Sequence, residues 1–275
     1  MLNVLLSPIK RYPLVTFFSL AYALSWVPSL FEAHSILPLG PLFAALIMLA
    51  LIGGRSSVMD FLRRIVQWRV GLRWYALALL LPVALTSAAV GLNVLLGAQM
   101  LSPDHIPSLS ELPATFLFIM LFIGLGEEPA WRGFALPRLM ATHTALTASL
   151  LLGALHALWH LPLFGLEFDW QNGFPWFLGV LAAAIVTAWM ANRTRGSLLL
   201  PILLHTSVNV VARYLFNPLF SGADLIQLFW IWGGLWCLVA LAIVGITGSE
   251  LGRPAANVPE HQSDTNQRRS SLSTV

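Results

Sequence analysis

The chain has 275 residues, of which 57% are hydrophobic and only 10% charged, with a formal net charge of +3. A soluble domain carries about 25% charged residues, so a water-soluble fold is excluded. The positive charge comes mostly from arginines at the ends of apolar runs, which reports membrane orientation and anionic headgroups and gives no ground for nucleic-acid binding.

The apolar runs fall at roughly 12–31, 37–53, 73–98, 113–130, 145–166, 174–192, 197–217 and 226–247, lengths that suit a hydrocarbon core about 30 Å thick. The expected fold class is all-α: a polytopic membrane protein of about eight transmembrane helices with a polar site inside the bundle. Residues 1–54 hold the first two spans, 55–72 an interfacial amphipathic helix, 73–247 the helix bundle that contains the polar site and 248–275 a disordered cytoplasmic tail. The first run follows Lys10 and Arg11 as a signal peptide would, but it lacks a small-residue cleavage site and reads as a retained helix. In the 54–72 connection, Ser57 and Asp60 can form a capping box, and Val58, Phe61, Leu62, Ile65 and Trp68 recur at helical spacing. Trp26, Trp74, Trp131, Trp170, Trp189 and Trp230 fall near span ends and read as an interfacial belt. The single cysteine, Cys237, lies inside an apolar run, so no intrachain disulfide can form.

Strongly polar side chains at membrane depth cost several kcal/mol and are functional candidates by default. Those within the spans are Asn93, Glu127, Glu128, Arg132, His156, His160, His205 and Asn209, with Arg213 nearer an end. Glu128 and Arg132 stand four residues apart with the acid first, the favourable order for an ion pair on one helix face. Glu127 points about 100° away and is left to find another partner, while Pro129 should loosen the helix at that turn. His156 and His160 share a face at metal-ligand spacing, and Pro162 breaks the helix beyond them. His205 and Asn209 repeat the same spacing on another helix. Asn93 reads as an interhelical hydrogen-bonder. Imidazoles and a carboxylate can hold a zinc ion with an open position or hold a water directly, and an amide or imidazole can stabilise an oxyanion. Either arrangement suits hydrolysis of an acyl bond.

At these residues the chain resembles the CAAX-protease and bacteriocin-processing (CPBP) family of intramembrane endopeptidases, which includes type II CAAX prenyl proteases. Glu127-Glu128-Pro129-Ala130-Trp131-Arg132 is similar to the family's EExxxR motif, His160 matches the histidine of its second motif, and His205 to Asn209 matches HxxxN, with the resemblance covering about 55–247. The second motif usually has Phe four residues before its histidine, where this chain has His156. An extra ligand and a harmless substitution are both open. The resemblance implies a glutamate-dependent intramembrane endopeptidase acting on a membrane-embedded or lipidated protein or peptide. Its site would comprise Glu127, Glu128, Arg132, His160, His205 and Asn209. Glu127 and His160 would activate water, and His205 and Asn209 would stabilise the oxyanion. If a divalent metal such as zinc is used, Glu127, His160 and His205 would hold it, with His156 as a further ligand or a hydrogen-bonder behind His160. The alternative reading is a catalytically idle immunity or scaffold protein, or a transporter, that binds in the polar pocket. The expected location is a bacterial inner membrane, with no nucleic-acid partner.

Arginines cluster in alternate connections, and acids occupy the others, which predicts that both termini and the 54–72 and 193–196 connections face the cytoplasm. A reporter that matures only outside the cytoplasm, fused after Val275, should stay inactive. Activity there contradicts the even number of crossings.

Overall fold

The structure, a computed structural model, describes residues 2–32, 35–103, 106–108, 110–165 and 169–254. It is a polytopic all-α membrane protein. The helices are α1 (Leu2–Arg11), α2 (Pro13–Trp26), α3 (Gly40–Ile65), α4 (Leu72–Leu95), α5 (Leu112–Leu139), α6 (Ala145–Trp159), α7 (Trp170–Arg193), α8 (Leu199–Leu219) and α9 (Gly222–Thr247). Among the described residues six of these, α3, α4, α5, α7, α8 and α9, are long and apolar enough to cross a membrane. The runs at 12–31 and 145–166 give the shorter helices α2 and α6, of 14 and 15 residues. Each stops just before a proline, Pro28 or Pro162, which cannot continue the backbone ladder. Helix α1, which precedes the first apolar run, was not expected.

Helix α7 is the inner member: 61% of its apolar window is buried, against 22% for α3. Its inward face carries Gly179, Ala182, Ala184, Ala188 and Ala191. Water offers no hydrophobic drive between helices in lipid, and small residues of this kind let neighbours approach closely. α9 lies along one side of α7 and α6 along another.

The interfacial segment is a continuation of α3. At Gly54 the backbone takes φ 66° and the helix changes direction, a conformation that favours glycine. The Ser57–Asp60 capping box does not form, because Ser57 Oγ donates back to the Gly53 carbonyl at 3.3 Å and Asp60 pairs with Arg63 at 2.9 Å. Beyond the kink, Phe61 is buried while Trp68 is 64% exposed. This half of α3 is tied to the α7–α8 connection: Arg64 Nε donates to the Gly196 carbonyl and Leu198 N to the Arg64 carbonyl, both at 2.9 Å. The first residues past α9 also pack back onto the bundle. Leu251 is fully buried and Leu146 N donates to the Ser249 carbonyl at 2.8 Å. The remainder of the expected tail, from residue 255, lies outside the described residues.

Asn93 does bridge helices, its Nδ2 donating to the Asp224 carbonyl of α9 at 3.0 Å. The tryptophans divide. Trp170 and Trp230 are exposed as belt residues should be, whereas Trp131 is fully buried in the core.

Two close approaches seat α5 in the bundle. A Cβ on Gly126 would lie 2.5 Å from the Pro38 carbonyl oxygen, and one on Gly124 would lie 2.7 Å from Thr206 Oγ1 of α8. The first obstacle is backbone and cannot rotate away. Alanine favours a helix over glycine by about 1 kcal/mol, yet overpacking costs about 1–3 kcal/mol. Gly126→Ala should therefore lower the thermal midpoint of the purified protein. An unchanged or raised midpoint contradicts this seating of α5.

Candidate active site

The chemistry-bearing residues come from α5, α6 and α8, and local irregularities of the helices present them. Met120–Gly124 and Pro129–Ala135 of α5 form wide π turns, and Glu127 and Glu128 lie on the short α-helical stretch between them. Pro129 supplies no N–H to the ladder, so the widening falls where the sequence places it. A third π turn, Asn209–Phe216, begins at Asn209 in α8. Turns of this kind occur frequently at functional sites, because they re-aim side chains without ending the helix. His160 sits at the end of α6, where a 3-10 turn over Leu161–Leu163 redirects the chain.

The two adjacent acids have different partners. Glu128 Oε1 accepts from His205 Nδ1 at 2.7 Å, and Glu128 Oε2 lies 3.2 Å from Arg132 Nε. Glu127 Oε2 accepts from His156 Nε2 at 2.8 Å. Glu127, Glu128, Arg132 and His156 are all buried, each with 6% exposure or less. His160 Nδ1 donates to the His156 carbonyl at 3.0 Å, which leaves its Nε2 directed elsewhere. One ligand atom from each of Glu127, His156 and His160 lies within 4.8 Å of the others, a group that could hold a metal ion. His205, named from the motifs as a metal ligand, is not in that group.

An aromatic cage holds the imidazoles. The ring centre of Trp131 is 5.3 Å from that of His156, Trp159 is 4.8 Å from His160, and Trp176 is 5.1 Å from His160. Tyr22 and Trp26 of α2 brace this layer by donating to the carbonyls of Leu155 and Trp159. Sequence reasoning read Trp131 and Trp26 as belt residues because they lie near span ends, and it did not single out Trp159, Trp176 or Tyr22. Trp131, lying inside the EExxxR stretch, offered the one available signal.

Two cavities meet at the site. The larger, about 450 Å³, is bounded by Glu128, Arg132 and His156 and by apolar side chains of α7, α8 and α9 that include Val180, Leu204, Leu228 and Trp232. The smaller, about 210 Å³, is bounded by Glu127, Trp159 and the 35–38 segment. His160, His205, Asn209 and Arg213 border both. The structure thus brings together the acids, the arginine and all three histidines, and sets Asn209 beside them on the cavity walls.

The site is a buried carboxylate and histidine cluster that opens on an apolar cavity inside a membrane bundle. Residues 109–211, which contain every one of these motifs, match the family model described as "Type II CAAX prenyl endopeptidase Rce1-like". The chain is also 25% identical to CAAX prenyl protease 2 of Methanococcus maripaludis over 192 residues, which is 62% of this chain and 68% of that relative. Together the two matches support the CPBP family of intramembrane proteases for this chain.

Removing one member of a buried charged group leaves the others unpaired, at about 3–5 kcal/mol. Glu128→Gln should therefore strip both Arg132 and His205 of their carboxylate and lower the thermal midpoint clearly. A midpoint equal to that of the unaltered protein contradicts a dry Glu128 network.

Proposed function

We propose that the protein is an intramembrane endopeptidase that hydrolyses a peptide bond of a membrane-embedded or lipidated protein or peptide. The observation that carries this reading is the division between adjacent acids. Glu128 is held on both sides by Arg132 and His205, while Glu127 meets the neutral-capable imidazole of His156 and borders a cavity. A general base needs to gain and release a proton within reach of water. Glu127 meets that requirement and Glu128, as a fixed counter-ion, does not.

In the proposed reaction Glu127 takes a proton from a water that His160 helps to position, and the hydroxide adds to the scissile carbonyl. Asn209 donates its amide to the developing oxyanion. His205, its Nδ1–H committed to Glu128, donates from Nε2 in its imidazolium form. Glu127 then passes the proton to the departing amine. Glu128 and Arg132 serve by fixing His205. The apolar lining of the larger cavity, directly beside Arg132 and His156, suits an aliphatic or lipid-modified segment. The relative's name, CAAX prenyl protease 2, agrees with a lipidated substrate.

Cleavage of a lipidated or helical peptide by purified protein in detergent or vesicles tests this. Glu127→Gln should reduce turnover by about 10²–10⁴-fold, the usual worth of a general base, with an unchanged thermal midpoint. A Glu127→Gln protein that cuts normally contradicts the mechanism. Peptide binding without any cleavage by the unaltered protein favours the binding reading instead.

A further inference from the structure

Where the family motif usually places Phe, this chain places a histidine, and that ring meets Glu127 directly. His156 Nε2 is 2.8 Å from Glu127 Oε2, a hydrogen-bond distance. The second histidine is already oriented, because the His156 carbonyl accepts the Nδ1 proton of His160 at 3.0 Å and so fixes the tautomer and the plane of its ring. Metal-bound imidazoles are commonly fixed this way, by a carbonyl holding the far ring nitrogen.

We propose that Glu127, His156 and His160 form a transition-metal site, with zinc the best-matched ion, that exists because His156 replaces Phe. Two imidazoles and one carboxylate are a ligand set of catalytic zinc sites, which keep a fourth position open. Bonds of about 2.0–2.2 Å in a tetrahedron put ligand atoms about 3.3–3.5 Å apart. The three atoms lie within 4.8 Å of one another, so small rotations of the rings close the site. The ring proton of His156 then moves to Nδ1 as Nε2 and Glu127 exchange their hydrogen bond for two bonds to the ion. An open position is at hand, since Glu127 borders one cavity, His156 the other and His160 both. His205 stays outside the ligand set, because its Nδ1 is engaged by Glu128 at 2.7 Å. The inference rests on the same site as the proposed function but gives Glu127 and His160 a different task, holding the ion that would activate water in place of acting on the water themselves. Because the test reads ion binding alone, its failure is distinct from a failure of proteolysis.

The test uses the full chain in detergent, stripped with a chelator and titrated with Co²⁺ by absorbance and with Zn²⁺ by elemental analysis after desalting, with no substrate present. One equivalent of ion per chain is expected, with the absorption of a four- or five-coordinate Co²⁺ centre. His156→Phe, a substitution of similar volume, should weaken binding at least about tenfold. Glu127→Gln should do the same, which guards against a misfolded His156 variant. His205→Ala should retain the equivalent. Failure of the unaltered chain to bind a stoichiometric ion overturns the proposal. So does equal binding by His156→Phe and the unaltered chain, or loss of the ion in His205→Ala to the same degree as in His156→Phe.

Discussion

The organisation of this bundle follows from the cost of keeping Glu127, Glu128 and Arg132 away from water. Each charge is several kcal/mol less stable inside a bundle than in water unless neighbours replace its hydration. Glu128 meets that demand within its own helix through Arg132 and across to α8 through His205. Glu127 meets it across to α6 through His156. Three helices are therefore pinned to one another by polar contacts at a single level, and the small residues at Gly124 and Gly126 let the backbones close around them. The larger apolar surface elsewhere, where lipid replaces water, sets no comparable demand on position.

The same contacts explain why the site is built on irregular helix. A regular helix presents neighbouring side chains at fixed 100° steps, whereas the wide turns on either side of Glu127 and Glu128 free their local direction from the rest of α5. Tryptophans then fill the space that the histidines leave, and the α2 side chains Tyr22 and Trp26 bond to α6 carbonyls that would otherwise need other partners. The cage excludes water from the imidazoles while the two cavities leave one side of them open. That combination, dry on one face and accessible on the other, is what acid–base chemistry inside a membrane requires.

Much of this was legible in the sequence, and the reasons are specific. Run length marked the spans because only about 20 apolar residues cross the core, and the i, i+4 spacing of Glu128 and Arg132 identified their pairing because it depends on one helix alone. Contacts between helices were not legible. That Glu127 meets His156 depends on the rotation of α5 and α6, which the spacing of either helix leaves undetermined. The residue types alone leave His156 open between an extra ligand and a harmless substitution. The turn at His160 and the hydrogen bond from its ring to the His156 carbonyl bring both to the same side. Trp131 was misread because nearness to a span end resembles a belt position, and only packing against Phe17, Phe18 and His156 shows otherwise. The capping box at Ser57 failed because the second helical segment begins directly after the non-helical Gly54, so Ser57 lies inside that segment and not at its N-cap.

The two adjacent acids are bound into different contacts, Glu128 to His205 and Glu127 to His156. Double-mutant cycles on thermal or denaturant unfolding measure this directly, pairing Glu128→Gln and Glu127→Gln each with His205→Ala. Groups in one buried network couple by about 0.5–3 kcal/mol, so the Glu128 cycle should show a coupling in that range and the Glu127 cycle a clearly smaller one. Equal couplings of both acids to His205, or a larger one for Glu127, would contradict the division of partners on which the account rests.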